Sequence, residues 1–202
     1  MAGRKESRRV AQAWIELAAI DLEAASALEV AHDQLAAGRR LQRLRRMRLI
    51  ELEGRLPARE RLESMLHGST QFYNPHKERC IVRLSAGEPA PVASGEHAVL
   101  VVERAGDRRA AAERWWRHET GETVIVREGT AWLLTFENGA GEAELEDLAL
   151  VRERRRGLLC NPHSQECRWA KDAIPLPWLG SETPASDSRP ARRTSSPTRS
   201  KR

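Results

Sequence analysis

The sequence has few cysteines and no long apolar run. Its 202 residues include three cysteines, an odd number that is too small for a disulfide scaffold. In a reducing compartment, such cysteines more often bind a metal or take part in chemistry than form crosslinks. No apolar run reaches the roughly 18 residues that a membrane span requires, and the basic N-terminus has no apolar segment behind it. These absences predict a cytoplasmic protein without a membrane partner.

The composition is that of a soluble globular chain. Hydrophobic residues make up 40% and charged residues 31%, which argues against a fully disordered protein. A mass of 22.8 kDa leaves room for one domain, with or without a helical appendage, and excludes a large multidomain enzyme. The sequence contains no recognisable catalytic motif, so composition and motifs alone do not assign an enzymatic activity.

The net charge of +5 is concentrated at the C-terminal end. Residues 181–202 hold six basic and two acidic residues, so the first 180 residues carry only about +1. Because this segment has no large apolar residue to bury, it is expected to be a disordered basic tail. Such a tail can lie along phosphates, which leaves nucleic acid as one class of partner.

The first third of the chain carries apolar residues at helical spacing. A three-four spacing begins at Val10 and extends to Leu35 in a segment rich in Ala, Glu and Leu. A second helical stretch is expected to end at Gly54 and a third, shorter one at Gly68. Residues 1–68 are therefore predicted to form a helical arm. Its apolar stripe needs a cover, which is the rest of the chain, a second copy or another protein.

One arginine cluster lies within this predicted arm. Thirty of the 34 basic residues are arginine, and six of them fall within ten positions. On a helix these six would cover most of the circumference, which a simple solvated face does not require. They are candidates for binding a nucleic acid or an acidic protein partner, and the alternative is that they pair with Glu51, Glu53 and Glu60. The candidates are Arg39, Arg40, Arg43, Arg45, Arg46 and Arg48.

After Gly68 the apolar period changes from near 3.6 to near 2, which indicates strands. The segment 69–180 is therefore predicted to be a small α+β domain with a mostly antiparallel sheet and one or two helices. The proline-spaced apolar segment 174–179 is expected to run extended over this domain and cover it. The expected elements are strands at 80–84 and 98–103, a helix at 108–119, a hairpin at 123–136 with its turn at Glu128-Gly129, and a weak helix at 142–151.

The pattern N-P-H-x-x-x-C occurs twice, 87 residues apart. Shuffling this composition would give N-P-H only about 0.004 times per chain, so coincidence is a poor explanation. Asn-Pro favours a tight turn, and the turn is predicted to place the histidine at its third position. The structural residues are Asn74 and Pro75 in the first copy and Asn161 and Pro162 in the second.

Three uses of this repeat stay open at the level of sequence. The asparagines can cap paired strands while the cysteines are simply buried. Alternatively, thiolate and imidazole ligands favour zinc, and the candidate ligands are His76, Cys80, Cys160, His163 and Cys167. A catalytic or ligand-binding use of the two histidines is the third reading, although a cysteine nucleophile would also need a base and an orienting group.

These observations favour a non-catalytic accessory or assembly protein. In this hypothesis the arginine-rich helical arm binds a protein or nucleic-acid partner, or a second copy of the chain, and the α+β domain is its scaffold. The alternatives are an enzyme or small-ligand binder that uses His76 and His163, and a zinc-stabilised binding module.

Overall fold

The computed structural model describes residues 8–153 and 155–180. Within these ranges the chain forms two halves with the same order of strand, helix, strand, helix and strand. The first half contains β1 (Arg9–Leu17), α1 (Leu22–Gln34), β2 (Leu41–Gly54), α2 (Arg59–His67) and β3 (Glu78–Arg83). The second half contains β4 (His97–Glu103), α3 (Ala110–Thr120), β5 (Val124–Phe136), α4 (Glu142–Ala149) and β6 (Gln165–Lys171).

The six strands form one antiparallel sheet in the order β3-β1-β2-β5-β4-β6. The second half therefore repeats the order of the first half in reverse. One row of paired residues crosses the whole sheet and contains Cys80, Ile15, Arg48, Thr130, Val101 and Cys167. Because Cys80 and Cys167 hold the same place in the two N-P-H-x-x-x-C copies, the halves are related by an approximate two-fold axis at the Arg48–Thr130 pair.

All four helices cover the same face of this sheet. Residues paired on neighbouring strands share a face, so Ile15 and Val101 point to the same side. Ile15 packs in an apolar cluster with α2 and α3, whereas Val101 packs in a cluster with α1 and α4. Each cluster therefore combines helices and strands of both halves.

The other face of the sheet is covered by extended chain. The connection between the halves contributes Ala90 and Val92, and residues 172–180, which we call the C-terminal strap, contribute Ile174, Trp178 and Leu179. Trp178 is 2% exposed and lies with its ring centroid 6.2 Å from that of Trp14. The expectation that the segment 174–179 covers the domain is therefore confirmed.

The predicted N-terminal helical arm is wrong, because β1 and β2 are central strands. In β1 both faces are buried, so the two-residue period disappears and a three-four spacing can be read into the apolar residues. In β2 the register shift between Leu41 and Arg43 puts Leu41 and Leu44 in the same apolar cluster, and Met47 is buried on the opposite face, so buried residues fall at every third position. The α+β class itself is confirmed, as six antiparallel strands with four interspersed helices.

Two further differences concern the second half. The hairpin predicted at Glu128-Gly129 is wrong, because residues 124–136 form one continuous strand, β5. Gly129 does not form a turn; it allows the side chains of Leu100 and Leu179 to approach the backbone. A Cβ at Gly129 would lie 2.9 Å from Cδ1 of Leu100 and 3.0 Å from Cδ2 of Leu179. The strand β6 was not predicted. The expected tail at 181–202 lies outside the described residues.

Candidate functional site

The two N-P-H-x-x-x-C segments fold into the same turn. In the first copy, Oδ1 of Asn74 accepts a hydrogen bond from the backbone N–H of His76 at 3.1 Å. The backbone N–H of Asn74 donates to the Glu78 carboxylate at 2.6 Å, and its carbonyl accepts from the Glu78 N–H. The second copy repeats all three bonds with Gln165 in place of Glu78. The motif therefore has a structural use in both copies, and its histidine side chains are exposed.

These turns lie at opposite corners of the sheet. Cys80 and Cys167 are five strand spacings apart, about 24 Å. Because β3 and β6 run in opposite directions, the preceding His76 and His163 lie at opposite ends as well. One ion therefore cannot bind both copies, and the predicted joint site that also includes Cys160 separates into two distant groups. Among the described residues, no three His, Cys, Asp or Glu side chains are placed to hold a metal ion together.

The second turn brings two thiols into contact. Cys160, just before the turn, is buried, and its side chain is hydrogen-bonded to that of the half-buried Cys167. This hydrogen bond lowers the pKa of Cys160 and, together with burial, raises that of Cys167. In the first copy Tyr73 stands at the position of Cys160, so Cys80 has no thiol partner there. Burial, and then the charge of Glu63, raise the pKa of Cys80 to about 12.

The arginine cluster lies on β2 and the 3-10 turn before it, not on a helix. Four of its six guanidinium groups form salt bridges within the molecule. Only Arg39 and Arg43 have no salt bridge to another described residue. The pairs are Arg40 with Glu144, Arg45 with Glu16 and Glu96, Arg46 with Asp21 and Glu23, and Arg48 with Glu78 and Glu128. The predicted partners Glu51, Glu53 and Glu60 are not among them, but pairing with acidic residues of the same molecule describes most of this cluster.

An exposed apolar loop connects β1 to α1. We call residues 17–22 the apolar tip, with the sequence Leu-Ala-Ala-Ile-Asp-Leu. Leu17 is 41% exposed, Ile20 80% and Leu22 78%. The tip is held against the first N-P-H turn, because the backbone N–H of Ala18 donates to the carbonyl of Lys77 at 2.8 Å. Single exposed apolar residues are ordinary, but three large ones within six positions form a candidate binding surface.

This corner also carries positive charge. His76, Lys77 and Arg79 of the adjoining turn are exposed, and Lys77 and Arg79 form no salt bridge with any residue that the structure describes. The acidic Asp21 of the tip is instead paired with Arg46. We call the apolar tip together with residues 75–79 the first corner. It combines an apolar centre with a basic border.

The second half provides an internal comparison. By the register of the sheet, the equivalent of the apolar tip is the loop 103–108, with the sequence Glu-Arg-Ala-Gly-Asp-Arg. Its backbone is held in the same way, since the N–H of Arg104 donates to the carbonyl of Ser164 at 2.8 Å. The same loop position is therefore apolar in one half and polar in the other. The fold does not require an apolar tip.

A buried polar cluster lies beneath the C-terminal strap. Glu51 accepts hydrogen bonds from Nε2 of Gln12 at 2.7 Å and from the backbone N–H of Trp178 at 2.6 Å. Arg83, 3% exposed, donates to Oε1 of Gln12 and to the carbonyl of Ile174. Burial raises the pKa of Glu51 from 4.5 to about 7, against the lowering effect of its hydrogen bonds. These contacts fasten the strap to the sheet.

A cleft of about 400 Å³ opens beside α2 and α3. Leu56, Pro57, Met65 and Trp116 form its apolar part, and Arg61 lies at its border. Neither His76 nor His163 lines it. The predicted enzyme or ligand-binding site built on both histidines is therefore not found in this cleft, and the distance between the two turns separates them in any case.

The apolar tip was not predicted, because the three-four spacing from Val10 to Leu35 favours a helix through these residues. The signal that could have found it is Asp21, which caps α1 by accepting the backbone N–H groups of Glu23 and Ala24. An Asp before a Leu-Glu-Ala run is typical of a helix start, and it would have separated the preceding apolar residues from the helix.

The comparisons with protein-family models, with curated proteins and with solved structures find no match for this chain. Of the helices in the described part of the molecule, none has the length and apolar character needed to cross a membrane.

Proposed function

We propose that this protein is a non-catalytic accessory protein that binds a protein partner through its first corner. The observation that carries the proposal is the difference between the two halves. Leu17 at the start of the apolar tip corresponds to Glu103, and the loop that follows Glu103 is Arg-Ala-Gly-Asp-Arg, with no large apolar residue. Because the same turn and sheet edge tolerate charged residues there, the exposed apolar side chains are not needed for folding.

The chemistry of the first corner indicates the kind of partner. Burial of apolar surface supplies most of the free energy of protein association, and Ile20 and Leu22 offer nearly complete side chains for it. The exposed cations Lys77 and Arg79 border this surface. Charges at an interface border select the partner and increase the rate of association. The complementary partner is a protein segment with apolar side chains flanked by acidic residues.

The arginine cluster gives less support to a nucleic-acid partner. Binding to phosphates draws its free energy from cations that are free to replace counterions. Arg40, Arg45, Arg46 and Arg48 already neutralise carboxylates of the same molecule. Only Arg39 and Arg43 stay without a salt bridge in the described ranges. We therefore place the partner surface at the first corner and not on β2.

The test is a pull-down from a nuclease-treated lysate of the source cells with quantitative mass spectrometry. Three baits are compared: the wild type, the double variant Leu17→Glu with Leu22→Arg, and the control Ala105→Glu in the equivalent polar loop. The double variant changes two exposed side chains, so its melting temperature should change little. The proposal expects proteins that the wild type and the control retain and that the double variant loses by tenfold or more.

A second comparison tests the basic border. Lys77→Glu is expected to weaken capture of the same proteins and to reduce its dependence on salt, whereas Ser164→Glu at the equivalent position of the second half should have no effect. Equal recovery on the wild type, the double variant and the control would refute the proposal. Proteins that the wild type retains from an untreated lysate but loses from the nuclease-treated one would instead indicate a nucleic-acid partner.

A further inference from the structure

The second N-P-H turn holds a pair of thiols that its counterpart lacks. Cys160 lies directly before the turn, and Cys167 lies in β6. The two side chains are in hydrogen-bonding contact and pack in the same apolar cluster. The third cysteine, Cys80, occupies the position of Cys167 in the first half, where Tyr73 replaces the second thiol.

The backbones of both cysteines are held by hydrogen bonds, that of Cys167 in the sheet and that of Cys160 against the end of α4. Val101 pairs with Cys167 in the β4–β6 ladder. The N–H of Cys160 donates to the carbonyl of Ala149, and its carbonyl accepts from the N–H of Val151. The two thiols therefore project from backbone that is hydrogen-bonded at both positions.

We propose that Cys160 and Cys167 form a reversible intramolecular disulfide when the protein meets a hydroperoxide. One sulfur of the pair, reacting as its thiolate, attacks a peroxide oxygen, becomes a sulfenic acid and releases one water from hydrogen peroxide. The second sulfur then attacks the first and displaces the hydroxyl group, which leaves as a second water with the proton of the second thiol. Two thiols are oxidised, and one peroxide is reduced to two waters.

The disulfide would close the turn at residues 161–166 into a covalent loop. It would link the residue before the turn to the third residue of β6 and leave the first corner unchanged, because no second thiol stands there. The inference rests on the thiol pair alone and is independent of the proposed partner.

The experiment treats the folded protein with dilute hydrogen peroxide, then denatures it, alkylates the free thiols and measures the intact mass. The wild type should lose two of its three alkylatable thiols and two hydrogen atoms, and a dithiol should restore both. Peptide mapping should place the link between Cys160 and Cys167. Cys80→Ser is the matched control and should form the same link at the same rate.

Cys160→Ala and Cys167→Ser should each abolish the intramolecular link. The wild-type mass and the peptide map decide the question even if one of these variants folds poorly. The inference is overturned if the wild type keeps three alkylatable thiols under conditions that oxidise a free thiol peptide. It is also overturned if Cys80 supplies one end of the link or if covalent dimers are the main product.

Discussion

The substitution Glu51→Gln should abolish a loss of unfolding free energy that the wild type shows as the pH rises. Glu51 is 2% exposed beneath the C-terminal strap, and burial raises its pKa to about 7. The folded state therefore keeps the proton up to about pH 7, whereas the unfolded chain releases it near the ordinary value of 4.5. The unfolding free energy of the wild type therefore decreases as the pH rises from 4.5 to about 7, because the unfolded state ionises first. At 1.36 kcal/mol per pKa unit, the full effect is about 3 kcal/mol.

Glutamine stays neutral and keeps an oxygen that can accept from Gln12 and Trp178. The variant can differ from the wild type by a constant amount, since its amide nitrogen cannot accept a hydrogen bond from the backbone of Leu179. The measured quantity is therefore the difference in unfolding free energy between variant and wild type, from urea denaturation at several pH values between 4.5 and 8. This difference should shift in favour of the variant by about 3 kcal/mol over that range.

The matched control is Glu96→Gln, because Glu96 is also 2% exposed but has the opposite pKa shift. Burial raises its pKa, but hydrogen bonds from Arg45 and the Ala93 N–H outweigh burial and lower it. A lowered pKa gives stability that is present above the unfolded-state value of 4.5 and is lost only on acidification. Glu96→Gln should therefore be destabilised by an almost constant amount between pH 6 and 8. A pH-independent difference for Glu51→Gln would refute the assignment.

Three further substitutions test the packing and the turns by urea denaturation. Trp178→Ala should lower the unfolding free energy by about 3 to 5 kcal/mol, because it empties a buried site between the strap and the sheet; a loss below 1 kcal/mol would contradict this. Gly129→Ala should cost about 1 to 3 kcal/mol through the close contacts with Leu100 and Leu179, and unchanged stability would show that these side chains move aside freely. Asn74→Ala should cost about 1 kcal/mol through loss of the side-chain bond in the first turn, with equal stability as the contrary result.

The fold class could be predicted from the sequence, but the number of strands could not. The strands β3 and β4 and the helices α2 and α3 appear where the patterns place them, since each has a clear period or a clear start and end. β1 and β2 were predicted as helices because they lie in the middle of the sheet. A strand buried on both faces loses its alternation, and a register shift adds a misleading three-residue spacing.

The candidate site, too, could be predicted only in part. The repeat of N-P-H-x-x-x-C was visible because its asparagines and prolines are needed at fixed positions of the turn. The separation of the two copies could not be predicted, because sequence spacing does not show that β3 and β6 are the two outer strands. The salt bridges of Arg45 and Arg46 join residues distant in sequence, so the free or paired state of each guanidinium also required the structure.

The sharing of apolar clusters between the halves has a consequence for their origin and their independence. Because each of the two clusters on the helix-covered face combines residues of both halves, neither repeat encloses a complete interior by itself. An ancestor with a single repeat would have needed a second copy of itself to become stable, and gene fusion would have turned that homodimer into one polypeptide. Cleavage within the linker 84–96 would then give two fragments that remain associated and that refold only when they are combined.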